Sequence, residues 1–217
     1  MDPAPLRLYL IRHGDTEWSL SGQHTGRTDL ALTAHGEDQA RALQPMLQVI
    51  PFDPVLISPA RRAQRTCAPA GLSRRSEIEP DLAEWDYGDY EGRMSPDIRQ
   101  DRPCWNMFRD GCPGGESVAA VTLRADRPIT RCAALSGNVA LFSSGQFGCS
   151  LAARWIGLPI LWAQHLMLGT ASVSVLTYNP SHPDLRVIAQ WNLAASDLLR
   201  LGYFAGSAPS HVQASAS

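Results

Sequence analysis

Three short apolar runs, Leu6 to Ile11, Pro54 to Ile57 and Asn138 to Phe142, each pass through a turn into a stretch of helical composition. That repeat constrains the fold more than any other feature of the chain. A run of apolar residues without polar alternation needs cover on both faces, and parallel strands joined by crossover helices supply it. The helices expected are Ala34 to Leu47, opened by Thr33 and broken late by Pro45; Pro59 to Ala68, with Ser58 as N-cap and Pro59 at the first helical position; Ser117 to Ala134; and Gln146 to Gly157. Ala171 to Tyr178 and Arg186 to Trp191 read as two later strands around a turn containing Pro and Asn, a hairpin at the sheet edge. The class is therefore α/β.

A chain of 217 residues with 44% hydrophobic content suits one domain, taken as residues 1–205. Residues 74–115 are rich in Pro, Gly, Asp and aromatics and read poorly as regular structure. An insertion over an active site has this composition, and so does an ordinary surface loop. Residues 206–217 are small and polar and read as a disordered tail. A formal charge of -2 gives no electrostatic footprint for nucleic acid. No apolar run approaches the roughly 18 residues that span a bilayer, and the start of the chain lacks the basic-then-apolar pattern of a signal peptide, so no membrane partner and a cytoplasmic location are expected. The five cysteines include no C-x-x-C pair, which points to free thiols and to neither a disulfide framework nor a metal site. All 19 basic residues are arginine. Schiff-base chemistry and a P-loop lysine are thereby excluded, and arginine is left as the permanent cation for holding an anion.

The chemistry-bearing residues sit where the strands end. Arg12-His13-Gly14 follows the first, Arg61-Arg62 the second, and Ser143-Ser144-Gly145 the third. An open α/β sheet binds ligands at the carboxyl ends of its strands, so these three segments are expected on one face.

The motifs R-H-G-x-T-x-W at Arg12, T-G-x-x-D at Thr25, L-T-x-x-G-x-x-Q-A at Leu32, S-P-x-x-R-A-x-x-T at Ser58, E-x-x-Y-G-x-x-E-G at Glu84 and P-G-G-E-S at Pro113 occur in that order. In this the chain resembles the histidine phosphatase superfamily, which includes the phosphoglycerate mutases, from about Leu6 to Asn192. The resemblance implies a three-layer α/β/α sandwich around a mostly parallel sheet, and hydrolysis of a small phosphorylated metabolite without a cofactor. It implies His13 as nucleophile, Arg12 and Arg62 as holders of the phosphoryl oxygens, and Glu84 as general acid and then base. Thr25 and Gly26 would line the substrate mouth, with Gln23 and Gly145 at its edge. The assembly is left open, a homodimer included.

The chain departs from the family's pattern at the third strand. Similar sequences read S-H-G there and have a second histidine, where this chain has Ser144. A hydroxyl donates a hydrogen bond but brings no charge, and charge-assisted bonds are about twice as strong. Cys149 stands where a basic residue is expected, and Ser19 where mutases have asparagine. Among the other histidines, His24 and His165 are the candidates for a place near substrate, while His35 starts a helix and reads as a surface residue and His182 sits in a turn. Mutase activity fits less well than hydrolysis in a chain without lysine. Three functions stay open: a phosphatase slowed or retuned by Ser144; a reused pocket catalysing isomerisation, elimination or decarboxylation of an anionic metabolite; and an inactive binding protein or inactivated form. A serine hydrolase using Ser144 lacks the glycine two residues earlier that the nucleophile elbow requires.

Overall fold

The computed structural model describes residues 4–200. Its strands are β1 (Arg7–Arg12), β2 (Phe52–Ile57), β3 (Ser76–Ile78), β4 (Asn138–Ser143), β5 (Val173–Asn179) and β6 (His182–Leu193). Its helices are α1 (Glu17–Ser21), α2 (Ala34–Ala42), α3 (Gln44–Leu47), α4 (Arg61–Cys67), α5 (Ser95–Asp101), α6 (Met107–Asp110), α7 (Val118–Ala133), α8 (Gly145–Trp155) and α9 (Ala195–Arg200). They build one six-stranded sheet in the order β3-β2-β4-β1-β5-β6. The first four strands of that order run parallel, and β5 and β6 run antiparallel as the edge hairpin.

The sheet is covered on both faces, as its apolar strands require. Leu8, Leu10, Val139 and Leu141 bury one face with α7 and α8, through Val121, Ala125, Phe147 and Leu151. Tyr9, Ile11, Ala140 and Phe142 bury the other, against Leu43 and Leu47 around α3 and Ala63 and Cys67 of α4. The α/β/α layering expected from the motifs is present. The described residues form this one sheet and its two covers; the ends of the unit expected over residues 1–205 and the tail read at 206–217 lie outside them.

Two helix readings are corrected at their ends. The helix expected over Ala34 to Leu47 is two, because Pro45 starts a new helix at its N1/N2 position after the turn at Leu43. The helix expected from Pro59 starts at Arg61 with Ala60 as N-cap, since the Ser58 hydroxyl accepts from the Ala60 amide and holds a turn there. Thr33 and Ser117 cap α2 and α7 through their hydroxyls, as their positions suggest.

Residues 74–115 are more ordered than their composition suggests. They contain β3, α5, α6 and several 3-10 turns. Trp85, Tyr87, Tyr90, Trp105 and Phe108 are all buried, with Trp85 edge-on to Phe108 at 5.8 Å and Tyr90 edge-on to Trp105 at 5.1 Å. These aromatics stitch the segment to the domain. Among the described residues no helix is long and apolar enough to cross a membrane. All five cysteines are free, with Cys104 exposed and the others buried.

Candidate active site

The parallel register sets Arg12 opposite Ser143, so β1 and β4 deliver Arg12-His13 and Ser144-Gly145 side by side at their carboxyl ends. His13 donates its amide to Ser143 O at 3.1 Å, and the Gly14 amide donates to Thr66 Oγ1 at 3.0 Å. Thr66 in turn donates to Arg62 O, one turn earlier on α4, which ties the third segment to the other two. Gly14 is required here because a Cβ would lie 2.4 Å from Gly36 O, where α2 crosses the loop. Asp15 anchors the same loop. Its buried carboxylate accepts from Gln39, from Thr170 and, at 2.7 Å, from Nδ1 of the exposed His35.

His13 is buried, and its Nδ1 lies 2.8 Å from Gly14 O. A carbonyl only accepts, so Nδ1 carries the proton and Nε2 keeps its lone pair. Burial first, then the charges of Arg62 and Arg12, holds the imidazole well below its ordinary pKa. A buried neutral imidazole with a free lone pair beside two guanidinium groups has the charge surroundings that attack on an anion would need.

The cations are held by backbone carbonyls. Arg62 donates to Thr28 O, Thr25 O and Gly26 O at 3.0–3.1 Å, and Arg12 donates to Leu168 O. Neither pairs with a carboxylate among the described residues. Among the described residues, the buried side-chain polar atoms left without a partner are Arg12 Nε, Arg62 Nε and Ser144 Oγ. All three belong to the segments that meet at His13. Burying a polar group unpaired is costly, and such clustering is what a site awaiting an oxyanion looks like.

Ser144 owes its free hydroxyl to Glu84. At the N-cap of α8 a serine ordinarily turns its oxygen onto the first amides of the helix. Here Ser144 makes no such bond, and the Glu84 carboxylate takes those amides, accepting from Gln146 N at 2.9 Å and Phe147 N at 2.7 Å as well as from Trp85 N. Glu84 Oε1 accepts twice and Oε2 once, so Oε2 retains capacity on the cleft side.

Arg12, His13, Glu84 and Gly145 line a cleft of about 340 Å³ together with Gln23, His24 and Thr25, while Arg62 and Ser144 are fully buried and do not reach its walls. Gln23 is held by Gly92 O. His24 stacks on Tyr87 with ring centroids 4.5 Å apart and meets Ser95 Oγ at 3.1 Å; burial pulls its pKa down to about 4. Gly26 is not on these walls. Its carbonyl holds Arg62 and its amide donates to Glu91, and a Cβ there would lie 2.5 Å from Trp85 O. His165 is exposed against Trp162, while the residues after it, Leu166 to Leu168, line the cleft. Cys149 lines it too, its buried thiol donating to Leu166 O and pushed up to about 12 by burial, so it serves as a neutral wall. Ser19 is consumed by a capping box with Thr16. Trp18, Gly22, Tyr87, Ser95 and Gln146 also line it, and no sequence signal marked Ser95 or Gln146 as site residues: Ser95 opens a short helix inside the segment read as irregular.

Residues 8–191 match the family model described as histidine phosphatase superfamily, branch 1. The chain is 39% identical over 186 residues to an acid phosphatase of Mycobacterium tuberculosis (strain ATCC 25618 / H37Rv), covering 84% of this chain and 91% of that protein. It is 36% identical over 187 residues to sedoheptulose 1,7-bisphosphatase of Saccharomyces cerevisiae, covering 71% and 69%. A solved structure of a functionally characterised open reading frame from Mycobacterium tuberculosis superposes with a TM-score of 0.82 at 38% identity, covering 87% of this chain and 98% of that one.

Proposed function

The chain belongs to the histidine phosphatase superfamily and is a phosphatase-like enzyme, and from that premise we propose that it hydrolyses phosphomonoesters of small metabolites through a phosphohistidine on His13. The observation that carries the reading is the trio of buried, unpartnered atoms, Arg12 Nε, Arg62 Nε and Ser144 Oγ, around a neutral imidazole. His13 Nε2 attacks phosphorus, the N–P bond forms and the ester P–O bond breaks, while the leaving alkoxide takes a proton held at Glu84 Oε2. Water then gives its proton to Glu84 and attacks phosphorus. The N–P bond breaks, and phosphate leaves with His13 neutral again.

Arg12 and Arg62 stabilise the charge that spreads over the equatorial oxygens, and their carbonyl anchors mean that little reorganisation is needed. Ser144 contributes a neutral donor to the same phosphoryl group, so turnover is set below what a cationic donor would allow. Four buried thiols and one exposed one suit a reducing compartment, and we place the reaction in the cytoplasm.

The test is incubation with p-nitrophenyl phosphate followed by a rapid quench. Phosphate release together with an acid-labile, base-stable phosphoryl adduct, both lost in His13→Ala, is the expected result. Turnover that persists in His13→Ala would overturn the phosphohistidine route.

A further inference from the structure

Glu84, whose carboxylate takes the first amides of α8, follows a single 3-10 turn and stands in a stretch with neither helix nor strand. Such a stretch gives its carbonyls no ladder partners, yet inside a protein each of them still needs a donor. Side chains supply them here. Ser143 Oγ donates to Leu82 O at 2.7 Å, and Arg124 of α7 donates to Asp81 O at 2.9 Å, Ala83 O at 2.7 Å and Glu84 O at 3.2 Å. Every carbonyl from Asp81 to Glu84 is thus fixed by one of two side chains.

Arg124 is buried, and its donors are fully used. Besides those three bonds, its Nε and Nη2 grip the Glu116 carboxylate at 2.8 and 2.7 Å, which accounts for all the N–H groups of a guanidinium. Glu116 returns to the same segment: Oε2 accepts from Asp86 N at 3.0 Å, its amide donates to Asp86 O at 2.9 Å, and its carbonyl accepts from Trp85 Nε1 at 3.1 Å. The pair therefore brackets Glu84 from Asp81 to Asp86. The Arg124 guanidinium also lies over the Phe147 ring, 4.3 Å from its centroid, and the Phe147 amide is one of those that hold Glu84 Oε1. One buried cation thus touches the main chain of Glu84 and the residue to which its carboxylate is bound. A buried ion pair is a weak source of stability, since packed apolar side chains often do as well, whereas a planar fork aimed at a set of carbonyls fixes position.

We propose that Arg124, held by Glu116, is a positioning residue for the general acid: it locks the Glu84 main chain and Phe147 in one frame, so that Glu84 Oε2 is held where the leaving oxygen departs. This rests on the phosphatase reading for what Glu84 does, though the clamp itself is a statement about where Glu84 is held. Arg124 does not line the His13 cleft and acts through Glu84 alone. Without the clamp Glu84 shifts against α8, and a misplacement of about 1 Å at a reacting group costs on the order of a hundredfold in rate. The loss falls on the step in which the alkoxide takes its proton, and the anion contacts of Arg12 and Arg62 are spared.

The test compares kcat/KM of the full chain and of Arg124→Met on β-glycerophosphate, whose alkoxide needs a proton as it leaves, and on p-nitrophenyl phosphate, whose nitrophenolate departs without one. Because kcat/KM ends with departure of the alcohol, hydrolysis of the phosphohistidine does not enter. Arg124→Met should lose about a hundredfold on β-glycerophosphate and less than about tenfold on p-nitrophenyl phosphate, with inhibition by inorganic phosphate unchanged. Arg124→Lys should recover part of the alkyl rate. Glu116→Gln, which removes one acceptor from Arg124 without adding bulk, should show the same leaving-group bias more weakly, and it carries the test if Arg124→Met does not fold. Hydrogen exchange followed by NMR is run alongside: in the variants the amides of Trp85, Gln146 and Phe147 should exchange faster, and the later amides of α8 should not. Equal losses on the two esters, or unchanged exchange at those three amides, overturns the clamp and leaves the phosphatase reading standing. A parent chain that hydrolyses neither ester, with the exchange response intact, would defeat the phosphatase reading alone.

Discussion

Replacing Ser144 by alanine separates stability from activity in opposite directions. The Ser144 hydroxyl is fully buried and unpartnered because Glu84 has taken the helix amides that a serine N-cap would use. An unsatisfied buried hydroxyl costs about 1–3 kcal/mol, so deleting it in Ser144→Ala should stabilise the free protein by about 1 kcal/mol. For a chain of this size that is roughly 2–4 °C in Tm. In the phosphoryl-bound state the same hydroxyl donates to a charged group, a bond worth about 1.5–3 kcal/mol, so kcat/KM on p-nitrophenyl phosphate should fall roughly 10- to 100-fold. Adding inorganic phosphate or vanadate should raise the Tm of the parent chain more than that of Ser144→Ala. Differential scanning fluorimetry with and without the anion, together with steady-state kinetics, reads all three quantities. A variant that is less stable than the parent would show that the hydroxyl is paired in the free protein. An unchanged kcat/KM would show that the phosphoryl group does not reach Ser144, and the assigned site geometry would be wrong.

Ser144→His should raise turnover on an aryl phosphate roughly tenfold, the difference of about 1.4 kcal/mol between a charged donor and the hydroxyl it replaces, and the gain should disappear in the His13→Ala background because both residues act on one phosphoryl group. An unchanged rate would favour the reused pocket over the phosphatase. The pH behaviour follows from two histidines depressed chiefly by burial. Attack requires neutral His13, so the acid limb of kcat/KM should lie below pH 6.5, and removing one cation in Arg62→Gln should move the His13 titration, followed by ring NMR, to higher pH. In the unfolded chain both rings take up protons near pH 6.5, while folded His24 does so only near 4, so stability is full above 6.5 and declines as pH falls towards 4. Urea titrations across that window should show a shallower decline in His24→Gln.

The apolar strand runs, the turn residues and the order of the motifs were enough to specify an α/β sheet with His13, Arg12, Arg62 and Ser144 at its carboxyl edge, because strand direction and the period of burial are local properties of the chain. The same local signals placed helix ends imperfectly at Pro45 and Pro59, where a turn and a helical first turn have the same composition. What the sequence alone did not reveal depends on contacts between distant residues. Glu84 caps α8 from 61 positions before its first helical residue, Gly145, and so frees Ser144, and no pattern around Ser144 encodes that substitution of one cap for another. Four arginines in one irregular segment are equivalent on paper. Only folding decides that Arg93 and Arg109 meet carboxylates, Arg102 meets a tyrosine, and Arg99 has no carboxylate partner among the described residues. Burial, likewise, is a property of the packed whole, and it is chiefly burial that holds the His13 imidazole and the Cys149 thiol neutral.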